Sequence, residues 1–467
     1  MKNTALANTT EVKNPCTGEI VGYCKSASLE DVNVVLELAH KSFLSWKKRP
    51  IAERAKLQHL AAAGMRRHAD ELADTLAKEL GRPLSGCLLE INRSADLIDF
   101  YAEEGLRMKG EIPLHNIEGE KALIIREPVG VVVSITSFNY PITLLCMKLG
   151  AALIAGCTVV AKPSDDTPLS TLRLEAIFKE AGYPEGVFTV ITGPGRVIGN
   201  ALVEHPLVSK ISFTGGTDTG RKLGQLAAIH NKRVTLELGG QSPAIVCQDA
   251  NIEVAAAAIV RHGFANSGQF CYRVNRVYIH ESIYDLVLNK MVELAEKLTI
   301  GHPFSGSDMG PLVNHKIYQN SEVQVEDAIH KGAVVKTGGE RLRGDLYDKG
   351  WFFPPTIIAD ANHSMKVMTE ETFGPVLGIM PFKTNEEAIE LANDSIYGLA
   401  AYVFSENIGT ALRIAESFEA GSVWINNIHR SYHDVPFGGV KQSGMGREKG
   451  KYGIEAYTEL KTIYLNY

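Results

Sequence analysis

No run of this chain approaches the roughly eighteen consecutive apolar residues that a membrane helix requires. The opening residues Met1 to Thr10 also lack the apolar core of a secretory signal. A cytoplasmic location is therefore the expectation. Lys and Arg are nowhere gathered into a block, and the net charge is −6. Both features argue against binding nucleic acid, because grip on its phosphates takes clustered cations. The seven cysteines are scattered and form no CxxC pair, so neither a disulfide framework nor a zinc knuckle is expected. The thiols should be reduced. His429 and His433 have a spacing that metal sites use, but no carboxylate–histidine motif accompanies them, and no metal is expected. Internal repeats and low-complexity linkers are missing too.

What is present is a chain of 467 residues, 45% apolar, 22% charged and with 43 glycines. That length exceeds what one hydrophobic core supports, so two or three domains are expected. Residues 30 to 110 read as helices, with apolar positions at three and four residue spacing: Val32, Val35, Leu36 and Ala39, then Leu57, Leu60, Ala61 and Met65. From residue 130 short β-branched runs alternate with helical segments. They include Val131 to Ile135, Val159 to Ala161, Phe188 to Ile191, Lys210 to Phe213 and Val234 to Leu236. This alternation is the signature of a parallel sheet with helices on both faces. A second alternation follows Gly240. The predicted class is α/β: a Rossmann-like parallel-sheet unit over residues 1–112 and 131–238, and a second α/β unit over 239–440. A small β element of 113–130 and 441–467 stands outside both, as edge strands that pair with another subunit or cap their own domain.

Cys271, in Asn266-Ser267-Gly268-Gln269-Phe270-Cys271, and Glu237, in Leu236-Glu237-Leu238-Gly239-Gly240, are the minimum kit for attacking a carbonyl carbon and hydrolysing the adduct. Most cysteines are inert small hydrophobes, so the pair needs support from its surroundings. Gly215 and Gly216, in a strand-to-helix turn, fit a phosphate cradle, although such a turn serves ordinary tight bends equally well. Lys162-Pro163-Ser164-Asp165 ends a neighbouring strand, where nucleotides bind in parallel sheets. Asn139, before Tyr140-Pro141, either donates to an oxyanion or shapes the turn.

These motifs, together with Asn14-Pro15-Cys16-Thr17-Gly18-Glu19, Glu370-Glu371-Thr372-Phe373-Gly374-Pro375 and Pro436-Phe437-Gly438-Gly439, recur in order from about residue 12 to the end. So many ordered matches make the chain resemble the aldehyde dehydrogenase superfamily. The resemblance implies a cofactor-binding domain (1–112 and 131–238), a catalytic domain (239–440) and a bridging, oligomerisation element (113–130 and 441–467). It further implies a Cys271 nucleophile, an oxyanion site of Asn139 and the Cys271 N–H, and Glu237 as the base that activates hydrolytic water. Cofactor contacts would come from Thr136, Phe138, Lys162, Ser164, Asp165, Gly215, Gly216, Glu371 and Phe373. Glu448 falls at a position associated with a water and proton path, or is a solvated acid.

Departures from the family pattern carry the substrate expectation. Relatives that prefer NAD usually carry Glu where this chain has Asp165; the shorter acid keeps the repulsive charge but leaves room, so NAD with some use of NADP is expected. Succinic semialdehyde dehydrogenases resemble the C-terminal wording around Tyr452, yet place arginines where this chain has Met147 and Ala265. Arg93 and Arg430 fall at tunnel-mouth positions, where a guanidinium suits a carboxylate, phosphonate or sulfonate, or else forms a structural ion pair. Tyr140, Thr143, Met147, Tyr272 and Ser431 complete the expected substrate wall, while Arg273 points either inward or toward another subunit. The expectation is an NAD(P)-dependent, non-acylating aldehyde dehydrogenase, homodimeric or homotetrameric, for a small anionic or hydroxylated aldehyde. The alternatives are a succinic semialdehyde-type or coenzyme A-acylating enzyme, and a catalytically silent structural relative.

Overall fold

The β-branched runs that follow residue 130 pair side by side in the computed structural model, which describes residues 8–114, 117–428 and 431–467. The first sheet has the order Gly444–Met445, Arg233–Glu237, Val208–Thr214, Val131–Ile135, Thr158–Lys162, Phe188–Val190. All neighbours are parallel except Gly444–Met445, which runs antiparallel to Arg233–Glu237. The segment from 441 onward, expected as a bridging element, thus begins at the edge of this sheet. Strand order reverses between Val131–Ile135 and Val208–Thr214, and their carboxyl ends open the crevice where doubly wound sheets bind ligands. One face of the sheet is covered by a core that includes Trp46, Met65, Ile91 and Leu149. The other face is covered by Leu36, Ile198, Leu202 and Leu223.

A seven-stranded second sheet runs Val334–Thr337, Thr356–Ala359, Val376–Phe382, Val274–His280, Ser242–Val246, Ala400–Phe404, Ser422–Ile425. It is parallel except for its first pair. Cores on both of its faces account for the near-continuous burial of its central strands. Outside both sheets, Glu120–Pro128 and Thr458–Asn466 form an antiparallel ribbon, on which Leu460 and Tyr464 are exposed. The fold is α/β, with a Rossmann-like sheet, a second α/β sheet and a small β element. Among the described residues no helix is long and apolar enough to cross a membrane.

The helices before residue 110 form as the periodicity predicts, at Leu29–Trp46, Ile51–Arg67, Ala69–Leu80 and Leu84–Gly105. Leu60, assigned to the core by spacing, is exposed; Gln58 and Ala62 face inward instead. Gln58 is tolerated there because its Nε2 donates to the Gly150 carbonyl at 2.6 Å. The last of these helices carries Glu90 to the start of Pro141–Ala155. Its Oε1 accepts from the backbone N–H groups of Ile142 and Thr143, both at 3.0 Å, where the helix dipole favours negative charge. Buried Arg82 donates to the other oxygen and lies 4.6 Å from the Tyr140 ring centre. This pair holds the helix start that follows Asn139. Replacing Glu90 by Gln should leave a buried guanidinium short of its counter-charge and destabilise the protein by about 3 kcal/mol. Urea unfolding should show that loss, and the double substitution Arg82→Met, Glu90→Gln should recover part of it.

Candidate active site

Strand ends of both sheets converge on Cys271. Glu237 is the last residue of Arg233–Glu237, and Asn139 follows Val131–Ile135, both at carboxyl ends. Cys271 precedes Val274–His280, and Glu371 and Phe373 precede Val376–Phe382, at the amino ends of the second sheet. Gly240 brings the two together: a Cβ on it would sit 2.3 Å from the Cys271 carbonyl oxygen.

The turn before Cys271 is unusual backbone. Asn266, Ser267 and Gly268 have φ of 49°, 55° and 75°, a left-handed run that side chains must compensate. Asn266 Nδ2 donates to the carbonyls of Asn139 and Gln269 at 3.1 and 3.2 Å. Ser267 Oγ donates to the Gly310 carbonyl at 2.8 Å, and the Val313 N–H donates to Gln269 Oε1 at 2.9 Å. Glycine is required at 268 on two counts, its φ and a Gly374 oxygen that lies 2.4 Å from where a Cβ would be. Arg273 turns inward and donates to the carbonyls of Gly263, Gly374 and Val376, so it braces this turn and does not reach outward.

Two cavities share Asn139, Leu144 and Cys271 in their walls. The larger, about 530 Å³, is lined by Phe138, Gly215, Gly216, Gly239, Glu371 and Phe373 among others, with Lys316, Ile317 and Asn320 of the helix His315–His330 opposite. Phe138 and Phe373 meet edge to face at 5.6 Å. A Cβ on Gly239 would sit 2.6 Å from Glu371 Oε2, so glycine there makes room for that carboxylate, whose Oε1 accepts from the Gly240 N–H at 3.0 Å. A glycine-walled cavity over the switch point fits a dinucleotide. Thr136, Lys162, Ser164 and Asp165 lie on the same sheet edge but outside this cavity; Lys162 Nζ bonds Asp165 Oδ1 and the Pro163 carbonyl at 3.0 and 2.9 Å.

The smaller cavity, about 100 Å³, gathers Arg93, Tyr140, Thr143, Met147, Tyr272 and Ser431. Arg93 donates to the Ser431 carbonyl at 3.3 Å, and among the described residues no carboxylate lies within 4.0 Å of it. Thr143 shares a hydrogen bond with Ser94 at 2.9 Å. Arg430 lies outside the described residues. Ala265 is not in the cavity wall, whereas His433, Phe437, Lys449 and Glu90 are. In the sequence His433 stands out only for its spacing from His429 and Phe437 only within Pro436-Phe437-Gly438-Gly439, and neither pattern places them beside substrate. Glu90 had a signal, an acid within an apolar helical stripe; Lys449 had none beyond following Glu448.

Charge in the site is set by burial. The Cys271 thiol is pushed far above its usual range by burial and then by the Glu237 and Glu371 carboxyls. Glu237 is buried with neither oxygen hydrogen-bonded, and burial followed by the charge of Glu448 raises it well above the ordinary carboxylate range. Glu371 is pushed up to about 7 by burial. Behind Glu237, buried Lys148 bonds Glu448 Oε1 at 2.5 Å and Thr214 Oγ1 at 2.8 Å, so Glu448 is an internal acid and not a solvated one. Asn139 is 3% exposed; its Oδ1 accepts from Ser137 at 2.5 Å, which turns its Nδ2 donors away from that partner. Among the described residues no cluster of three or more His, Cys, Asp or Glu is placed to hold a metal ion.

The aldehyde dehydrogenase family model matches residues 2–463. The chain belongs to the aldehyde dehydrogenase family. It is 40% identical over 458 residues to mitochondrial succinate-semialdehyde dehydrogenase of Arabidopsis thaliana, covering 98% of this chain and 86% of that protein. Its identity to 3-sulfolactaldehyde dehydrogenase of Pseudomonas putida is 37%, covering 97% and 93%. Betaine aldehyde dehydrogenase of Staphylococcus aureus, solved with NAD+, superposes with a TM-score of 0.96 at 35% identity, over 98% of this chain and 92% of that one. The protein is an NAD(P)-dependent aldehyde dehydrogenase.

Cys271 is the one cysteine of seven in this aldehyde dehydrogenase that keeps partial exposure, along the wall shared by the two cavities, although its surroundings still desolvate the thiol. Iodoacetamide should therefore label it first, yet slowly at neutral pH, because only the thiolate reacts. With the thiol pushed upward, the rate should climb about tenfold per pH unit, on the order of 100-fold from pH 7 to pH 9. Mass spectrometry of the labelled peptide measures it; a rate independent of pH would mean a preformed thiolate.

Proposed function

We propose that the enzyme oxidises a short anionic or hydroxylated aldehyde to its carboxylic acid, with Cys271 as nucleophile, Asn139 as oxyanion donor and Glu237 as base. The observation that carries this reading is the small cavity beside Cys271, which holds an Arg93 without a carboxylate partner and the hydroxyls of Thr143 and Ser431. Once its proton has passed to solvent, the Cys271 thiolate Sγ forms a bond to the carbonyl carbon, and the negative oxygen is met by Asn139 Nδ2 and the Cys271 N–H. Bound NAD(P)+ supplies the hydride acceptor. Cys271 is left as a thioester. Glu237, made more basic by burial, takes a proton from water, whose oxygen displaces the thiol and releases the acid.

Phe138, Gly215, Gly216, Glu371 and Phe373 would hold the nicotinamide half, with Thr136, Lys162, Ser164 and Asp165 toward the adenosine; Asp165 favours NAD over NADP without excluding the latter. The division into a cofactor-binding part, a catalytic part and a bridging ribbon belongs to the same reading, as do a cytoplasmic location and a homo-oligomer formed through the exposed ribbon Thr458–Asn466. A succinic semialdehyde-type substrate is the second reading, favoured by the 40% relative. Against it, Met147 presents no charge to the small cavity and Ala265 is absent from its wall.

Cys271→Ala should lower aldehyde-dependent NADH formation by at least about 1,000-fold. Glu237→Gln should keep a first-turnover burst of NADH while steady-state turnover falls by roughly 100-fold. In the unaltered enzyme deacylation should speed up as pH rises, since a raised carboxyl is a base only once deprotonated. Loss of the burst in Glu237→Gln would move that residue out of the hydrolytic step.

A further inference from the structure

Lys449 holds a backbone conformation that favours glycine, with φ 63° and ψ 169°, and it is 7% exposed. A long side chain kept in strained backbone points to a use for that side chain. Burying an ammonium costs more again unless it is paired. Among the described residues no carboxylate oxygen lies within 4.0 Å of Lys449 Nζ. The amine instead donates to Ser431 Oγ at 2.5 Å and stands 5.7 Å from the Phe437 ring centre. It lines the same small cavity as Arg93 and Cys271. Arg93, from the helix Leu84–Gly105, bonds the carbonyl of the same Ser431. Two cations from different elements thus flank one residue, an arrangement that repels itself until an anion lies between them.

We propose that Arg93 and Lys449 form a receptor for a tetrahedral oxyanion, a sulfonate or phosphonate, at the end of the substrate remote from the aldehyde. This rests on the anionic-aldehyde reading above and makes Lys449 the residue that sets its specificity. A carboxylate has two coplanar oxygens, which a single guanidinium fork satisfies. Here a guanidinium and an ammonium, with the Ser431 and Thr143 hydroxyls in the same wall, offer donors from several directions, as three oxygens around sulfur or phosphorus require.

The receptor is sensitive to pH. Burial, and then the charge of Arg93, push the Lys449 amine down to about 8, against the opposing pull of Glu448, Cys271 and Glu237. His433 shares the cavity and is itself pushed down to about 4 by burial and by Lys449 and Arg93, against the opposing pull of Asp96 and Asp434, so it adds no charge at neutral pH. The lysine cation is present below about 8 and lost above it. Discrimination in favour of anionic aldehydes should therefore fade as pH rises from 7 to 9.

The test measures kcat/KM with NAD+ for 3-oxopropane-1-sulfonate, phosphonoacetaldehyde, succinic semialdehyde and butanal, and compares each anion with butanal on the same enzyme, so that titration of Cys271 and Glu237 cancels. Lys449→Met should cut the preference for the tetrahedral anions by about tenfold or more. Lys449→Arg should keep that preference within about threefold and hold it constant from pH 7 to pH 9. Lys449→Gly, which relieves the backbone, should lose the preference while its Tm stays at or above that of the unaltered protein. If the unaltered enzyme does not prefer any anion over butanal, the anionic-aldehyde reading fails. If the preference exists and falls in Arg93→Met but not in Lys449→Met, that reading stands and the Lys449 inference is overturned. Preference for succinic semialdehyde over both tetrahedral anions overturns the tetrahedral receptor.

Discussion

Asn266 holds two carbonyls at once, that of Asn139 from the first sheet and that of Gln269 from the turn carrying Cys271. Through this one amide Asn139, the proposed oxyanion donor, and Cys271, the proposed nucleophile, share a rigid reference, although they belong to different sheets. The left-handed run from Asn266 to Gly268 is what allows the amide to reach both, and Arg273, Ser267 and Gln269 keep that run from relaxing by occupying its surroundings with hydrogen bonds. Glu90 performs a similar service at the other end, where it fixes the first turn of the helix after Asn139. Catalytic geometry of this kind depends on supporting groups that never meet substrate.

Burial then sets the chemistry. Cys271, Glu237 and Glu371 are all driven toward their neutral forms by loss of water, so the resting site carries little negative charge next to the cavity that admits a dinucleotide. The cations in the other cavity, Arg93 and Lys449, have no carboxylate oxygen within 4.0 Å among the described residues, and only the more distant Glu448 and Glu237 carboxyls offset the charge of Lys449. The site is therefore divided by charge, with neutral acids on the cofactor side and, on the substrate side, two cations without a contacting carboxylate beside a Glu90 already paired to Arg82. An aldehyde whose far end is anionic would complete this arrangement, and one without charge would leave the cations repelling each other.

Much of this was legible in the chain. The short β-branched runs alternating with helices after residue 130 foretold both sheets, since strands covered on both faces read as continuous apolar segments, and the edge strands expected within 113–130 and 441–467 pair with each other as a ribbon. Cys271, Glu237, Asn139, Glu371 and Phe373 were found by local wording, and the fold brings them to one place. Leu60 was misjudged because helical spacing does not reveal which neighbour covers a face. The adenosine-side residues Lys162 and Asp165 sit on the expected sheet edge but pair with each other and not with the cavity wall.

By itself, then, the sequence determined the class of fold and the order of its elements, and it singled out the residues proposed to react, because those are written in local periodicity and in short motifs. Which cations line the smaller cavity was decided only by tertiary structure. Arg93 and Lys449 are separated by most of the chain and meet at Ser431; the contact exists because the C-terminal segment returns to the first sheet at Gly444–Met445, and no local pattern records a return of that length.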